Sequence, residues 1–301
     1  IRLHLKCTKR IGYNDELRSN KNVIILLAPL YVIVQNILAR EKMAYRYDND
    51  LEFLGQIESE DLEDLVYCLT HNRDGKVRYT EGLTTSDDYK KYYPDHKQYW
   101  KLVAAEIQRF GANSIVTKLR GGKGVKYKEV LTDVCDKMKV NYNKDSSVQK
   151  IENNLLMKIL SDSIEHISPE DLKKLAESTG VKNTSGITTE VILGIFQAAF
   201  RAGSFKSYQL TLIFVNAVMK ALVGRGLSFA GNIALTRTMA ILTGPIGLAI
   251  TGLWTAIDIA GPAYRVTIPS VIQVAVLRQK FLYEKQGEEV ALMRTKFESY
   301  I

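Results

Sequence analysis

Cysteine and histidine are scarce in this chain, three of the first and four of the second among 301 residues. Cys7, Cys68 and Cys135 lie far apart, and His4, His71, His96 and His166 are equally scattered, so no metal-binding spacing is readable. An odd cysteine count excludes a complete disulfide framework and suits a reducing cytoplasm, where thiols serve as small buried hydrophobes. Period-two alternation is missing as well, which argues against a sheet and for an all-α multi-helix bundle. No carboxylate pair, nucleophile–base set or nucleotide loop stands out, so the chain is read as not an enzyme, with no catalytic residue and no cofactor. An uninterrupted spanning helix is the last absence. Thr238 to Ile257 is uncharged over twenty residues, about the length of one transmembrane helix, but Gly244-Pro245 breaks it near the middle.

What is present there is a small-residue-rich apolar segment, Gly226 to Ala260, expected to fold as a helical hairpin around Gly244-Pro245-Ile246-Gly247. Arms of about fifteen residues reach roughly 22 Å at 1.5 Å per residue, short of a ~30 Å hydrocarbon core. Gly226, Ala230, Ala234 and Thr238 recur every four residues on the first arm, as Gly252, Ala256 and Ala260 do on the second. That spacing lets helix backbones approach closely, in lipid or in a tightly packed bundle. Arg237 and Asp258 are the only charges between Leu227 and Tyr264, offset axially by roughly 7 Å. They bridge the arms or reach solvent at the open ends. Trp254 completes the expected core or membrane hairpin residues.

Hydrophobic content of 46% and charged content of 25% describe an ordinary folded protein. The net charge of +8 is unevenly spread: residues 1–42 hold eight basic and three acidic side chains, 43–150 eighteen of each, and 151–301 fifteen and twelve. An excess gathered at one terminus weakens any case for a nucleic-acid partner. Val23 to Ala39 is an uncharged run interrupted by Pro29, similar to a signal anchor. Arg40-Glu41-Lys42-Met43 also reads as the translation of a ribosome-binding sequence entering a start codon. Met43 is therefore the expected natural start, with an N-terminal anchor as the alternative.

Beyond Met43, Ser59 is the expected N-cap of a helix carrying Leu62, Leu65, Val66 and Leu69, ended by a turn at Asp74-Gly75. Ser168, Pro169 and Asp171 spell a second helix start with a capping box. Tyr89 to Tyr99 interleaves tyrosines with lysines, a pattern that can stack bases but here precedes a helix from Trp100 to Phe110 and is expected to cover it. Gln108 to Lys128 is the most distinctive polar stretch, with six basic residues and no acidic one. It offers Arg109, Asn113, Ser114, Lys118, Arg120, Gly121, Gly122, Lys123, Gly124 and Lys126 as an anion- or partner-binding group. It is no P-loop, because Lys123 precedes Gly124 and no strand leads in. A solvated interhelical loop is the plain alternative. Helices are expected over Ser147–Ile167, Pro169–Ser178, two segments of Thr189–Leu222 divided at Gly203-Ser204, and Pro269–Tyr283, with a charged terminal helix or tail over Glu288–Ile301. The expected division is 1–42, a polar helical domain 43–182, an apolar domain 183–285, and the tail 286–301.

Several passages together resemble the bacterial YaaW family, grouped at domain level with the ubiquinol–cytochrome c chaperones. They are Asp50-Leu51-Glu52-Phe53-Leu54, His71-Asn72 with Gly75-Lys76, the Ala105–Leu119 run with Arg109-Phe110-Gly111 and Asn113-Ser114, Leu119-Arg120-Gly121, and Ala263–Val274. The resemblance covers about residues 45–283. It implies a helical protein without a known active site; its chaperone relatives assist assembly of a membrane respiratory complex, and the region shared with them corresponds to roughly Trp100–Leu160, with the apolar hairpin outside it. The expected function is a non-enzymatic, chaperone-like binding protein whose basic stretch holds an acidic protein partner or an anionic lipid headgroup. Its expected place is the cytoplasm, with inner-membrane contact through the hairpin. The rival readings are a pore-forming protein that inserts 226–260 into lipid, and an enzyme whose site does not show in sequence.

Overall fold

A last, long helix has five of the others packed against it. The computed structural model of the chain describes residues 45–78, 82–111, 124–165, 167–178, 181–202, 205–228, 245–256 and 263–298. All belong to one unit, Ala44–Ile301. Ten α-helices occur among them: α1 Ser59–Thr70, α2 Asp87–Tyr92, α3 Trp100–Gly111, α4 Tyr127–Lys137, α5 Val148–Ile164, α6 Pro169–Ser178, α7 Thr189–Ala202, α8 Phe205–Val223, α9 Pro245–Ala256 and α10 Tyr264–Glu298. Short 3₁₀ turns at Glu52–Gln56 and His96–Tyr99 precede α1 and α3. No strand occurs among the described residues, only an isolated bridge between His71 and Val77, so the fold is all-α.

The thirty-five residues of α10 make a rod about 52 Å long. Val266 through Leu277 are buried without interruption, the pattern of a helix surrounded on every side. Helices α1, α3, α4, α5 and α8 all pack against it. The sequence places its start at Pro269, yet it begins at Tyr264 and carries Pro269 inside. Proline there has no N–H to give to the Arg265 carbonyl one turn back. Arg78 supplies the missing donor, its Nη2 bonding to that oxygen at 3.3 Å. An orphaned acceptor is thereby satisfied from outside the helix.

The other local starts and stops follow the expected chemistry with one further correction. Glu58, not Ser59, is the N-cap of α1, and it makes no side-chain cap bond. Ser59 instead accepts from Lys97 N at 3.1 Å and donates to Asp95, tying α1 to the turn before α3. Leu62, Leu65, Val66 and Leu69 are buried as their spacing predicts. Asn72 Oδ1 accepts from Asp74 N and Lys76 N, and Gly75 takes φ +74°, closing the Asp-Gly turn. Ser168 accepts from Asp171 N at 3.2 Å and donates to its carboxylate at 3.0 Å. Tyr89 packs on Tyr93 and Tyr99, with ring centroids 5.2 and 5.4 Å apart, covering the approach to α3.

Candidate functional site

Three places concentrate polar chemistry. The first flanks the basic stretch. Residues Asn113, Ser114, Lys118, Arg120, Gly121, Gly122 and Lys123 lie outside the described residues, while Arg109, Gly124 and Lys126 lie within them. The chain departs from α3 and returns at one point. Val125 N donates to Gln108 O at 3.2 Å, and Arg46 Nη1 donates to Gly124 O at 3.2 Å. The Gln108 carboxamide pairs with the Arg46 backbone in both directions, at 3.0 and 2.7 Å. A side chain at Gly124 would meet the Gln108 backbone at 2.8 Å, and one at Gly111 would meet Val130 at 2.2 Å, so glycine permits both approaches. Arg109 sits partly exposed, 3.6 Å from the buried Glu106 carboxylate. Lys126 is the N-cap of α4 without a side-chain cap bond; Asp48 supplies one from afar, accepting from Tyr127 N at 2.7 Å.

The second place holds the described parts of the apolar segment. Arg237, Gly244 and Asp258 lie outside the described residues, and so does most of the first expected arm. The described part of the expected second arm, Pro245–Ala256, is α9, and Pro245 is its first residue, where a missing N–H costs nothing. Gly247 is buried and its carbonyl accepts from Thr251 Oγ1 at 2.7 Å. Trp254, 3% exposed, donates from Nε1 to Ser163 Oγ at 3.1 Å, and α9 packs on α5 and α8. Leu248 stands 65% exposed on the other side. Among the described residues no helix is long and apolar enough to cross a membrane.

Where the segment leaves α8, α1 holds it. Arg225 Nη2 reaches Glu63 at 3.1 Å and Asp64 at 3.0 Å while its guanidinium stacks 3.7 Å from the Tyr67 ring centroid. Ser228 gives both N and Oγ to Asp64, at 2.8 and 3.0 Å. Glu63 also meets His96 Nε2 at 2.7 Å. The hydrogen bond from His96, with Arg225 adding, holds the Glu63 carboxyl below the usual range against its partial burial. Burial pushes Asp64 upward despite Ser228 and Arg225. Gly224, at φ +81°, lies so close to Arg73 O that a Cβ would sit 2.2 Å away.

The third place was not singled out from sequence. Glu152, on the face of α5 that also carries Ile151, Leu155 and Ile159, is 1% exposed. Arg278 Nε donates to it at 2.6 Å and Tyr127 Oη at 2.7 Å. Arg278 Nη2 continues to Asp50 O at 2.5 Å, and the guanidinium lies 4.3 Å from the Phe53 centroid. Burial raises the Glu152 carboxyl above its ordinary 4.5, with Arg278 and Tyr127 pulling the other way. Beside the pair opens a cleft of about 250 Å³ between α5, α7, α8 and α10. The only hint in the sequence is a carboxylate at an apolar-face position, and nothing local says which cation meets it. Among the described residues no group of His, Cys, Asp and Glu could hold a metal ion.

Residues 95–272 match the family described as ubiquinol-cytochrome C chaperone, and residues 45–79 match a domain of unknown function, DUF3944. A UPF0174 protein of Helicobacter pylori strain J99 is 51% identical over 238 residues, 79% of this chain and 94% of that protein. The chain belongs to the UPF0174 family. The UPF0174 protein YaaW of Escherichia coli K12 is 31% identical over 239 residues, 78% of this chain and 95% of its own. A further UPF0174 protein of Helicobacter pylori strain J99 is 40% identical over 208 residues, 68% of this chain and 99% of its own. No solved structure matches the chain. In this UPF0174 chain the 45–79 match contains Asp48, Asp50, Glu63, Asp64, Arg73 and Arg78, so it contributes a residue to each of the contacts that cap α4, receive Arg278, hold Arg225 and satisfy Arg265.

Proposed function

We propose that this UPF0174 chain is a non-enzymatic, assembly-chaperone-like binding protein that holds an acidic segment of a partner protein on its basic stretch, Arg109 to Lys128. The observation that carries the reading is the chaperone-family match over residues 95–272, which includes that stretch. Two features support it. The chain leaves for the stretch and comes back at one pinned point, where Gln108 joins Arg46 and Val125. It brings six basic side chains and no carboxylate, a composition suited to charge-assisted bonds with carboxylates. Three carboxylates elsewhere among the described residues are engaged with cations, hydroxyls or backbone amides: Glu152 with Arg278 and Tyr127, Asp64 with Arg225 and Ser228, Asp48 with Tyr127 N and Asp50 N. Such pairing suits a scaffold better than proton transfer.

The test replaces Arg120 and Lys123 by glutamate in the full chain and compares crosslinked, mass-identified partners with those of the wild type. The reading expects the double variant to lose an acidic partner at least tenfold, with helicity unchanged, and expects wild-type capture to weaken as salt rises. Unchanged capture would refute it. Flotation with vesicles of anionic lipid, lost in the same variant while protein capture persists, would assign the stretch to headgroups instead.

A further inference from the structure

We propose that the cleft beside Glu152 and Arg278 receives one uncharged apolar side chain of a polypeptide, whose peptide groups are bound by the carboxamides around it. The proposal rests on the reading of the chain as a protein-binding scaffold, but places the anchor far in sequence from the basic stretch.

Size is the first reason. At about 250 Å³ the cleft falls just below the ~300–1,000 Å³ of ordinary small-molecule sites. A cavity of ~150 Å³ already holds benzene, so there is room for one ring or branched side chain and little more. Charge is the second. Glu152 and Arg278 are the charged side chains that line it, and they neutralise each other at 2.6 Å. An anion drawn to Arg278 meets Glu152, and a cation drawn to Glu152 meets Arg278. A neutral guest pays neither cost. Phe200, Tyr208, Ala275 and Leu282 give that guest an apolar wall.

Hydrogen-bonding capacity is the third reason. Gln149 and Asn153 are one turn apart on α5, and Gln279 and Gln286 lie along the cleft-lining stripe of α10. The side chains of Gln149, Asn153 and Gln286 bond to no other described residue, and Gln279 uses only Oε1, which accepts from Thr211 at 2.8 Å. Arg278 Nη1 likewise makes no bond to a described residue, its Nε and Nη2 being taken by Glu152 and Asp50. Gln149, Asn153 and Gln286 each present an acceptor and two donors, and Gln279 its two donors, the complement of a peptide group. Gln149 and Gln286 are exposed, Asn153, Gln279, Phe200 and Leu282 are half-buried, and Tyr208 and Ala275 are buried, so two amides stand at the mouth and the deepest apolar surface belongs to Tyr208 and Ala275. A side chain inserted inward would leave its flanking peptide groups among those amides.

The probe is N-acetyl-phenylalaninamide, added to the ¹⁵N-labelled full chain and followed by NMR at the side-chain amides of Asn153 and Gln279. Saturable shifts at millimolar concentration are expected. They should be at least tenfold weaker for N-acetyl-lysinamide and N-acetyl-aspartamide, and weaker again for benzyl alcohol, which carries the ring without peptide groups. Leu282→Trp, which fills the half-buried wall, should abolish them. Should that variant misfold, Asn153→Ala with Gln149→Ala at the accessible rim carries the same expectation. No saturable shift, equal binding of a charged analogue or of benzyl alcohol, or binding that survives the folded variants would overturn the proposal. No partner is present in the assay, so its outcome stands apart from that of the Arg120 and Lys123 variant.

Discussion

Replacing Arg278 with methionine keeps much of the side-chain volume and removes the charge, leaving Glu152 buried and unpaired. The two side chains are 12% and 2% exposed, so water can do little to compensate. Breaking a buried pair by deleting one partner costs about 3–5 kcal/mol. In a domain of this size each 1 kcal/mol moves Tm by about 2–4 °C, so the variant should melt roughly 6–20 °C lower at neutral pH. The deficit should also depend on pH. With Arg278 gone, the raised Glu152 pKa favours the protonated folded state, so the loss grows as pH rises above the ordinary 4.5 and shrinks as pH falls back toward it. Adding Glu152→Gln removes the orphaned charge while keeping an acceptor for Tyr127 Oη, and should recover most of the loss. Urea denaturation followed by circular dichroism, on wild type, both singles and the double, closes the cycle. A single Arg278→Met variant within about 1 kcal/mol of wild type would refute the reasoning, as would a double variant that loses the sum of the singles.

Gly224→Ala forces a Cβ into the Arg73 carbonyl at positive φ and should cost about 1–3 kcal/mol, whereas Gly194→Ala, on an exposed helix position with nothing described within 4 Å, should gain up to about 1 kcal/mol. Thermal melts of the pair distinguish backbone constraint from a general intolerance of change. Glu63 contributes stability that is present above its ordinary 4.5 and is lost as pH falls through its lower folded value. Glu63→Gln should therefore flatten that portion of the acid-denaturation curve, and a curve identical to wild type would remove His96 and Arg225 as the cause.

Local chemistry was the legible part of this chain. Helical spacing of Leu62, Leu65, Val66 and Leu69, the Asp74-Gly75 turn and the Ser168–Asp171 start all depend on residues within a few positions of one another, and all formed. Pro269 misled for a matching reason: reading it as a helix start needs only its neighbours, and its tolerance inside α10 depends on Arg78, 191 residues earlier. Glu152 and Arg278 are 126 residues apart, and Asp48 caps a helix 79 residues on. Partner choice over such separations is settled by packing, which no periodicity records. Gln108 looked like the polar edge of a basic stretch, yet its carboxamide joins Arg46 to α3.

The long reach of Arg278 has a consequence during synthesis. Its guanidinium closes on Asp50 O, 228 residues upstream, and Lys280 pairs with Asp61 in the same region. At about 5–20 residues per second, the ribosome needs some 10–45 s to deliver α10 after Asp50 has been made. Through that interval α1 must keep Leu62, Leu65 and Leu69 from other greasy surfaces without the rod that will eventually shelter them. A molecule proposed to shepherd others thus begins life in need of shelter itself, and truncation at its far end should be felt first at its near one.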